Sequence, residues 1–322
     1  MEKGSTGRLI GSLIATAVTV AIGWLFVYHF AIQPLSAGGW DHLLKALSSP
    51  DPGDLKWWRD FLGPAFDVLI LIIALLGTWW VLGHFALEAS EAGKWSHYYK
   101  SEEGKKDLWI QKLSLWHRIQ HLWVMITFAL CALTGLSLQL NLPVDRVTFI
   151  TLHVYSGLAM GVLVIIHFFQ YLVEGLLTLA SGESLREKYP MLEFYSLRFI
   201  RTFFKDLLRT ISSKVKAEPH GKYDPEQLFE YWGIYWGMAV LGIPGLLILL
   251  YGNAFMEGVL WLMHVKEAAL AVTFIIMVHL AYTHFRPKVF PIDMTFITGK
   301  VPLKRVEEEH PLWAESLKKS LK

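Results

Sequence analysis

Six apolar segments, each long enough to cross a lipid bilayer, constrain the fold of this chain more than any other feature. They cover approximately residues 9–32, 66–87, 119–140, 150–178, 232–252 and 257–284. A helix crosses the hydrocarbon core with about 20 apolar residues, and every segment supplies them. Membrane strands alternate in hydrophobicity instead, and this alternation does not occur here. The sequence therefore predicts an all-α integral membrane protein with six transmembrane helices, in contact with membrane lipid.

Composition narrows the chemistry that the chain can perform. The sequence is 53% hydrophobic and 18% charged, which is too apolar for an ordinary soluble domain. A formal net charge of +2 gives no reason to expect a nucleic-acid partner. The single cysteine, Cys131, lies inside the third apolar segment. One cysteine excludes disulfides within the chain, cysteine-ligated clusters and covalent c-type haem, because each of these needs more than one.

The charges of the loops predict how the chain crosses the membrane. Six basic residues lie between positions 94 and 118, nine lie between 186 and 222, and more follow the sixth segment. The opposite loops contain only Lys45, Lys56, Arg59 and Arg146. Since basic loops stay on the cytoplasmic side, both termini are predicted to be cytoplasmic. The first segment has no small-x-small cleavage site, so we interpret it as a retained span and not as a signal peptide.

Polar stretches divide the chain into three predicted regions. Residues 1–110 contain the first two segments and form an accessory hairpin, residues 111–290 form a four-helix core, and residues 291–322 form a cytoplasmic tail. Residues 192–216 place apolar side chains at helical intervals between basic ones. This pattern indicates either a helix on the cytoplasmic membrane surface or a soluble helix against a partner subunit. Asp224 and Pro225 match the N-cap and first position of the fifth helix.

Two histidines on each of two segments suggest a common purpose. His153 and His167 are 14 residues apart in the fourth segment, and His264 and His279 are 15 apart in the sixth. These separations are close to four turns, or about 21 Å, so both rings of a pair lie on one side of their helix. The predicted topology sends both helices from outside to inside. His153 and His264 are therefore expected near the outer leaflet, and His167 and His279 near the inner leaflet.

Paired imidazoles at two depths are the pattern expected for two b-type haems stacked across the membrane. A low-spin haem iron takes two axial imidazoles, and metal bonding offsets the cost of burying each ring. At the inner level His121, in the third segment, is a third candidate at the depth of His167 and His279. Either His121 or His167 is spare, or the chain binds a third haem. The alternative function is a proton-relay transporter or channel without haem.

Other polar residues near these histidines suggest proton or quinone chemistry. Glu267 lies one turn after His264 and next to Lys266. It is expected to bond to a ligand ring, to accept a proton from a quinol, or to pair with Lys266. Candidates for a cytoplasmic quinone pocket share a position near the inner ends of the predicted helices: His117, Tyr171, Glu174 and Glu230.

Several motifs resemble the di-haem cytochrome b subunits of the formate dehydrogenase gamma type, a family that includes cytochrome b subunits of hydrogenases and thiosulfate reductases. The third segment RIQHLWVMITFALCALTGL, the fourth segment and the stretch HGKYDPEQLFEYWGIYWGMAVLGIPGLLILL carry this resemblance. The segment EYWGIYWG, His264 with Glu267-Ala268, and the ending HFRPKVFPIDMTFITGKVP are most similar to the branch encoded beside multihaem c-type cytochromes. The resemblance covers about residues 112 to 313 and leaves out the first two segments.

The resemblance implies a ligand set and a function. Positions matching His153 and His264 hold the outer haem in the formate dehydrogenase members, and those matching His121 and His279 hold the inner one. His167 has no counterpart there, although the closer branch carries one. The chain is then expected to be an electron-transfer subunit of a quinone-linked oxidoreductase complex in a bacterial or archaeal cytoplasmic membrane. It would exchange electrons between menaquinone or ubiquinone and a multihaem cytochrome c, an iron–sulfur protein or a dehydrogenase.

Overall fold

The computed structural model describes residues 3–320, and these residues are almost entirely helical. Six helices are long and apolar enough to cross a membrane. The predicted all-α fold is confirmed, and the chain is a multi-pass membrane protein. Large apolar side chains cover its lipid-facing surface, as at Leu133 (65% exposed) and Val147 (74% exposed). The cytoplasmic location of the termini stays a prediction, and residues 1–2 and 321–322 lie outside the described residues.

We number the six membrane-spanning helices span 1 to span 6 in chain order. Span 1 is Lys3–Val27 followed by two segments with π-helical hydrogen bonding, which we call wide turns, Tyr28–Ile32 and Leu35–Gly39. Span 2 is Leu55–Glu88, and span 3 is Leu115–Gln139. Span 4 is Arg146–Ala180; span 5 is Pro225–Gly237 with the wide turn Met238–Gly242 and then Ile243–Tyr251; span 6 is Val259–Phe274 followed by the wide-turn segment Ile275–His284. Each predicted segment therefore corresponds to one observed helix.

Shorter elements connect the spans. The α-helical and 3₁₀ segments are Trp40–Ser48, Ala89–Glu91, Lys94–Tyr98, Glu102–Lys106, Leu185–Lys188, Pro190–Tyr195, Leu197–Arg209, Phe255–Gly258, Thr295–Thr298, Leu303–Glu309 and Pro311–Ser320. Strands β1 (Trp109–Gln111) and β2 (Lys300–Pro302) pair antiparallel, with Ile110 opposite Val301. The helix predicted within residues 192–216 is present over Leu197–Arg209, and its apolar residues Leu197 and Ile200 are 86% and 51% exposed. That this face contacts either the membrane surface or a partner subunit stays a prediction.

Local sequence explains where several helices begin. The hydroxyl of Ser114 accepts a hydrogen bond from the main-chain N–H of His117 (3.1 Å) and caps span 3. The carboxylate of Asp145 accepts from the N–H groups of Val147 and Thr148 (3.3 Å each) and caps span 4. Such side chains replace partners that the first turn of a helix lacks. Span 5 begins at Pro225, as its sequence predicts.

Prolines explain two of the wide turns. Pro34 and Pro244 have no N–H group to offer the carbonyl four residues earlier, and their rings push that carbonyl aside. The helix widens to π geometry just before each proline, at Tyr28–Ile32 and at Met238–Gly242, whereas Leu35–Gly39 contains a kink with non-helical backbone angles at Ala37 and Gly38. Pro34 thereby leaves the Phe30 carbonyl without its helical donor, and the Nζ of Lys266 donates to it (3.0 Å). A polar group at membrane depth must find such a partner inside the protein.

The chain forms two compact units, described separately. Unit 1 comprises residues 3–102, 207–215 and 236–293, which hold spans 1, 2 and 6 and the second part of span 5. Its centre contains Ile70 of span 2 and Met277 of span 6, both fully buried. Ion pairs within it join Lys266 to Asp67 and Arg286 to Glu88.

Unit 2 comprises residues 103–206, 216–235 and 294–320, which hold spans 3 and 4, the first part of span 5 and the C-terminal segments. Spans 3 and 4 are consecutive and pack against each other. A small apolar cluster outside the spans contains Val301, Val306 and Ala314. The boundaries of the two units differ from the predicted boundaries at residues 110 and 290. The predicted division into an accessory hairpin, a four-helix core and a cytoplasmic tail stays a prediction.

Candidate functional site

The ring of His153, on span 4, is oriented by span 3 within unit 2. Its Nδ1 lies 3.1 Å from the main-chain carbonyl of Cys131 and 3.1 Å from the hydroxyl of Thr134. That hydroxyl donates to the Leu130 carbonyl, so it faces the imidazole as an acceptor. A carbonyl oxygen can only accept, which means that Nδ1 carries the proton. The neutral ring consequently presents Nε2 with its lone pair.

The ring of His264, on span 6, is oriented in the same way within unit 1. Its Nδ1 donates to the main-chain carbonyl of Leu241 (2.8 Å). Leu241 lies in the wide turn Met238–Gly242 of span 5, directly before the helix that contains Pro244. Both predicted outer ligands therefore hold the Nδ1–H tautomer, fixed by a carbonyl of a neighbouring helix.

A glycine accompanies the accepting carbonyl in both cases, one helical turn later. A Cβ atom at Gly135 would lie 3.0 Å from the Cε1 of His153, and one at Gly245 would lie 2.9 Å from the Cε1 of His264. Residues four apart lie above one another on a helix, so a side chain there would cover the carbonyl and displace the ring. Neither of these glycines was predicted from the sequence as part of the site, and Thr134 was not predicted either. The sequence signal for the glycines is a glycine four residues after the accepting carbonyl, in Cys131-Ala-Leu-Thr-Gly135 and in Leu241-Gly-Ile-Pro-Gly245.

His167, the inner histidine of span 4, has a different environment. Its Nδ1 lies 3.1 Å from the Oε1 of Gln120, and its Nε2 lies 3.2 Å from the hydroxyl of Tyr231. Both ring nitrogens are therefore occupied by side chains of unit 2. The ring of Tyr171 lies beside it, with 4.7 Å between the ring centroids.

The two other predicted inner ligands make ring contacts. His121 lies edge-on to Phe296 within unit 2, with 5.8 Å between centroids. His279 lies edge-on to His284 within unit 1, with 5.2 Å between centroids. Neither ring contact fixes the position of a ring proton.

The predicted quinone residues of unit 2 form a partly connected group. The Nε2 of His117 and the hydroxyl of Tyr171 lie 2.7 Å apart. The amide of Gln170 donates to Glu174 (3.0 Å) and accepts from the indole of Trp116 (2.7 Å). The structure thus brings His117 of span 3 and Tyr171 of span 4 into direct contact, and Glu174 follows Tyr171 by three residues on span 4. Glu230 is half-buried on span 5 of the same unit.

Glu267 is buried in span 6, with 3% of its surface exposed. The indole of Trp236 donates a hydrogen bond to it. Its Oε2 has no hydrogen-bond partner within residues 3–320. The expected pairing with Lys266 is not present, because Lys266 donates to Asp67 and to the Phe30 carbonyl instead.

A charged cluster of unit 2 lies outside the spans. His220 lies between Asp206 (2.7 Å) and Asp224 (2.8 Å), each contact joining a ring nitrogen to a carboxylate oxygen. Burial alone would lower the pKa of His220, but hydrogen bonds and charges from the two carboxylates outweigh it and raise that pKa to about 10. The pKa of the nearby His310 is lowered to about 4, by burial and by Lys112. Sequence reasoning did not single out this cluster.

Comparison with known proteins adds no relative to this chain. No family model, no curated protein and no solved structure matches it. Any functional assignment therefore depends on the residues themselves, foremost the two histidines whose Nδ1 is held by a carbonyl and whose ring faces a glycine.

Proposed function

We propose that this chain is a membrane cytochrome b subunit that binds two b-type haems and moves electrons between a membrane quinone and a redox partner subunit. The observation that supports it most is the repeated arrangement around His153 and His264. Each ring donates Nδ1–H to a main-chain carbonyl of a neighbouring helix and faces a glycine one turn later. The two arrangements occur in different units and on different spans.

The donor chemistry of these residues fits an iron porphyrin. A metal-ligating histidine typically donates its second ring N–H to a carbonyl or carboxylate, which fixes the ring and raises the basicity of the ligating nitrogen. The carbonyls of Cys131 and Leu241 are in position to do this. When bound, the haems would supply one-electron redox chemistry. The protein would hold the rings, keep water from the site and control where protons enter.

The two other histidines of the proposal are His121 and His279. The sequence leaves His121 and His167 as alternatives for the inner haem. We choose His121 because the resemblance implies it, and because both ring nitrogens of His167 already contact side chains, the Oε1 of Gln120 and the hydroxyl of Tyr231. On this proposal the chain binds two haems and not three.

The remaining parts of the proposal concern the partners and the membrane. The quinone would be menaquinone or ubiquinone, and the group around His117 and Tyr171 would serve its cytoplasmic side. The redox partner would be a multihaem cytochrome c, an iron–sulfur protein or a dehydrogenase. Both termini would face the cytoplasm of a bacterium or archaeon, in agreement with the distribution of basic loops.

The test is a haem-to-protein ratio measured on the purified chain by pyridine haemochrome, together with a redox titration. We expect a ratio of about two with low-spin spectra. If the pairing predicted from the sequence is right, His153→Ala and His264→Ala each remove the same haem. His84→Ala is the matched control: His84 is 2% exposed in span 2, and its Nδ1 donates to the Trp80 carbonyl of its own helix.

Two outcomes would contradict the proposal. One is a colourless protein, which would favour the proton-relay transporter and call for proton-flux measurements in liposomes. The other is a full haem content after His153 and His264 are both replaced by alanine. A loss of haem in His84→Ala equal to that in His264→Ala would also count against the specific ligand assignment.

A further inference from the structure

Glu267 is a buried acid on span 6, in unit 1. It follows His264 by three residues, or about 4.5 Å along the helix axis. Its side chain is 3% exposed, and Oε2 has no hydrogen-bond partner in the described part of the chain. Leaving a buried polar atom unsatisfied costs about 1–3 kcal/mol, and more if the group is charged. An ionisable residue at this depth therefore needs a reason to be there.

An ion pair with the adjacent Lys266 does not explain why Glu267 is buried here. Lys266 points to span 1 and span 2, where its Nζ meets the Phe30 carbonyl (3.0 Å) and the carboxylate of Asp67. Asp67 is 2% exposed, so the lysine neutralises an equally buried acid. Two buried carboxyl groups of unit 1 are thus close to Lys266: Glu267 in sequence and Asp67 in space. Lys266 forms its ion pair with Asp67.

A role in orienting the ring of His264 does not explain the buried Glu267 either. The Nδ1 of His264 already donates to the Leu241 carbonyl at 2.8 Å. The one hydrogen bond that the structure gives Glu267 comes from the indole of Trp236, which is itself 57% exposed. A carboxyl group that is not needed for an ion pair or for ring orientation is left with an oxygen that can take up a proton.

The surroundings of Glu267 contain few other ionisable groups. The wide turn Met238–Gly242 contains no ionisable side chain, and the helix Lys3–Val27 of span 1 contains two basic residues, Lys3 and Arg8, both in its first turns. The other ionisable residues on the elements of unit 1 that pack against the helix Val259–Phe274 are Lys56, Arg59, Asp60, Asp67, His84 and Glu88 on span 2, Tyr251 on span 5, Glu257 before span 6, and His279, Tyr282 and His284 in its continuation.

We propose that Glu267 exchanges a proton with a hydroquinone that binds beside span 6 on the His264 side of the membrane. This inference rests on the proposed function and adds to it a second quinone position with its own proton acceptor, separate from the group around His117 and Tyr171. Oxidation of a hydroquinone breaks two O–H bonds and releases two protons and two electrons. The first hydroxyl proton would move to the Glu267 carboxylate and from there to the aqueous phase, and the second proton would follow by the same route. The two bound haems would supply the oxidant, each accepting one of the two electrons.

The first experiment needs no haem and no electron transfer. Dicyclohexylcarbodiimide modifies protonated carboxyl groups in apolar surroundings, and peptide mass spectrometry locates the adduct. We expect modification at Glu267 and none at Asp67, which is buried to the same extent but paired with Lys266. Decylubiquinone in excess should protect Glu267. Modification of Asp67 at the rate of Glu267, or no modification of Glu267, would overturn the proposal.

The second experiment measures electron entry with a defined donor. Haem reduction by decylubiquinol is followed in the purified full-length protein, in Glu267→Gln and in Glu267→Asp. Losing a positioned proton acceptor typically costs about 100-fold or more in rate, so we expect that loss in the glutamine variant and a partial recovery in the aspartate variant. The haem content and the visible spectrum should stay unchanged. Glu257→Gln, an exposed carboxyl substitution that also lies in unit 1, is the control and should keep the parental rate.

The outcomes separate this inference from the proposed function. A protein with two haems and an unchanged reduction rate in Glu267→Gln would overturn the inference alone. A loss of haem in Glu267→Gln that Glu267→Asp does not restore would also overturn it, because Glu267 would then be a structural residue. A protein without haem would overturn both proposals. A rate that falls in Glu267→Gln, recovers in part in Glu267→Asp and leaves both haems in place supports both.

Discussion

The two histidines of span 4 differ in what surrounds them, although they lie on one helix and face one side of it. His153 has Nδ1 on a main-chain carbonyl and faces Gly135, whereas His167 has both nitrogens on the side chains of Gln120 and Tyr231. His264, in the other unit, repeats the arrangement of His153 and not that of His167. The spacing along a helix places a ring at a depth. The neighbouring helices decide which polar atoms that ring meets, a main-chain carbonyl beside a glycine at His153 and two side chains at His167.

The largest effect is expected from filling the space at the two glycines. Gly245→Leu should displace His264, because a Cβ atom at this position already lies 2.9 Å from the ring. Gly135→Leu should do the same to His153, with 3.0 Å available. We expect each variant to lose about one haem of two, measured by pyridine haemochrome. Gly233→Leu is the control, since nothing lies within 4 Å of its Cβ position; full haem content in all three variants would remove the glycines from the site.

His220, which lies outside the spans, gives a third histidine environment, in which two carboxylates hold a charged ring. The pKa of His220 is raised to about 10 between Asp206 and Asp224. A raised pKa in the folded state stabilises it fully below the ordinary value of about 6.5, and this contribution is lost as pH rises through about 10. His220→Gln should therefore destabilise the protein by roughly 3–5 kcal/mol at pH 6, and by progressively less as the pH rises from about 6.5 to about 10.

The measurement for His220→Gln is denaturant unfolding in detergent, followed over that pH range. His42→Gln is the control, because His42 lies at the surface and its side chain is 59% exposed. A destabilisation in His220→Gln that does not change between pH 6 and pH 10 would contradict the assignment of a charged ring held by Asp206 and Asp224.

A smaller effect is expected at His167. His167→Gln removes two hydrogen bonds from unit 2, which should lower the free energy of unfolding by about 1–3 kcal/mol. The haem-to-protein ratio should stay the same as in the parent chain. Tyr231→Phe removes one of the two partners and should show part of the same destabilisation. A loss of one haem in His167→Gln would reverse the choice between His121 and His167, and would make the two histidines of span 4 equivalent.

The smallest effect is expected at Thr134. Thr134→Val removes one of the two acceptors near the Nδ1 of His153 but keeps the Cys131 carbonyl and the shape of the side chain. We expect both haems to remain, with a change of about 1 kcal/mol in the stability of one oxidation state relative to the other. A potentiometric titration measures it. Thr127→Val, another buried threonine of span 3 that bonds to its own helix, is the control and should leave the potentials unchanged.

The positions of the spans could be predicted because they depend on the chain locally. About 20 apolar residues suffice to place a helix in a bilayer, whatever it later packs against. Local rules also predicted the start of span 5 at Pro225, since proline fits the first helical position. The same reasoning placed His117 and Tyr171 near the inner ends of their spans. It could not show that they lie 2.7 Å apart, because that contact joins residues of two helices.

The sequence by itself determined the six helices, the position of each histidine along its helix and the side of the helix on which it lies, because hydropathy and helical periodicity act over a few turns. Only the tertiary structure decided which polar atom each side chain meets. Lys266 does not pair with its sequence neighbour Glu267 and bonds instead to Asp67, 199 residues away in the chain. His153 and His264 reach carbonyls 22 and 23 residues earlier in the chain, which two glycines leave uncovered. A buried hydrogen bond depends on atoms that packing brings within about 3 Å, and no local pattern encodes that distance.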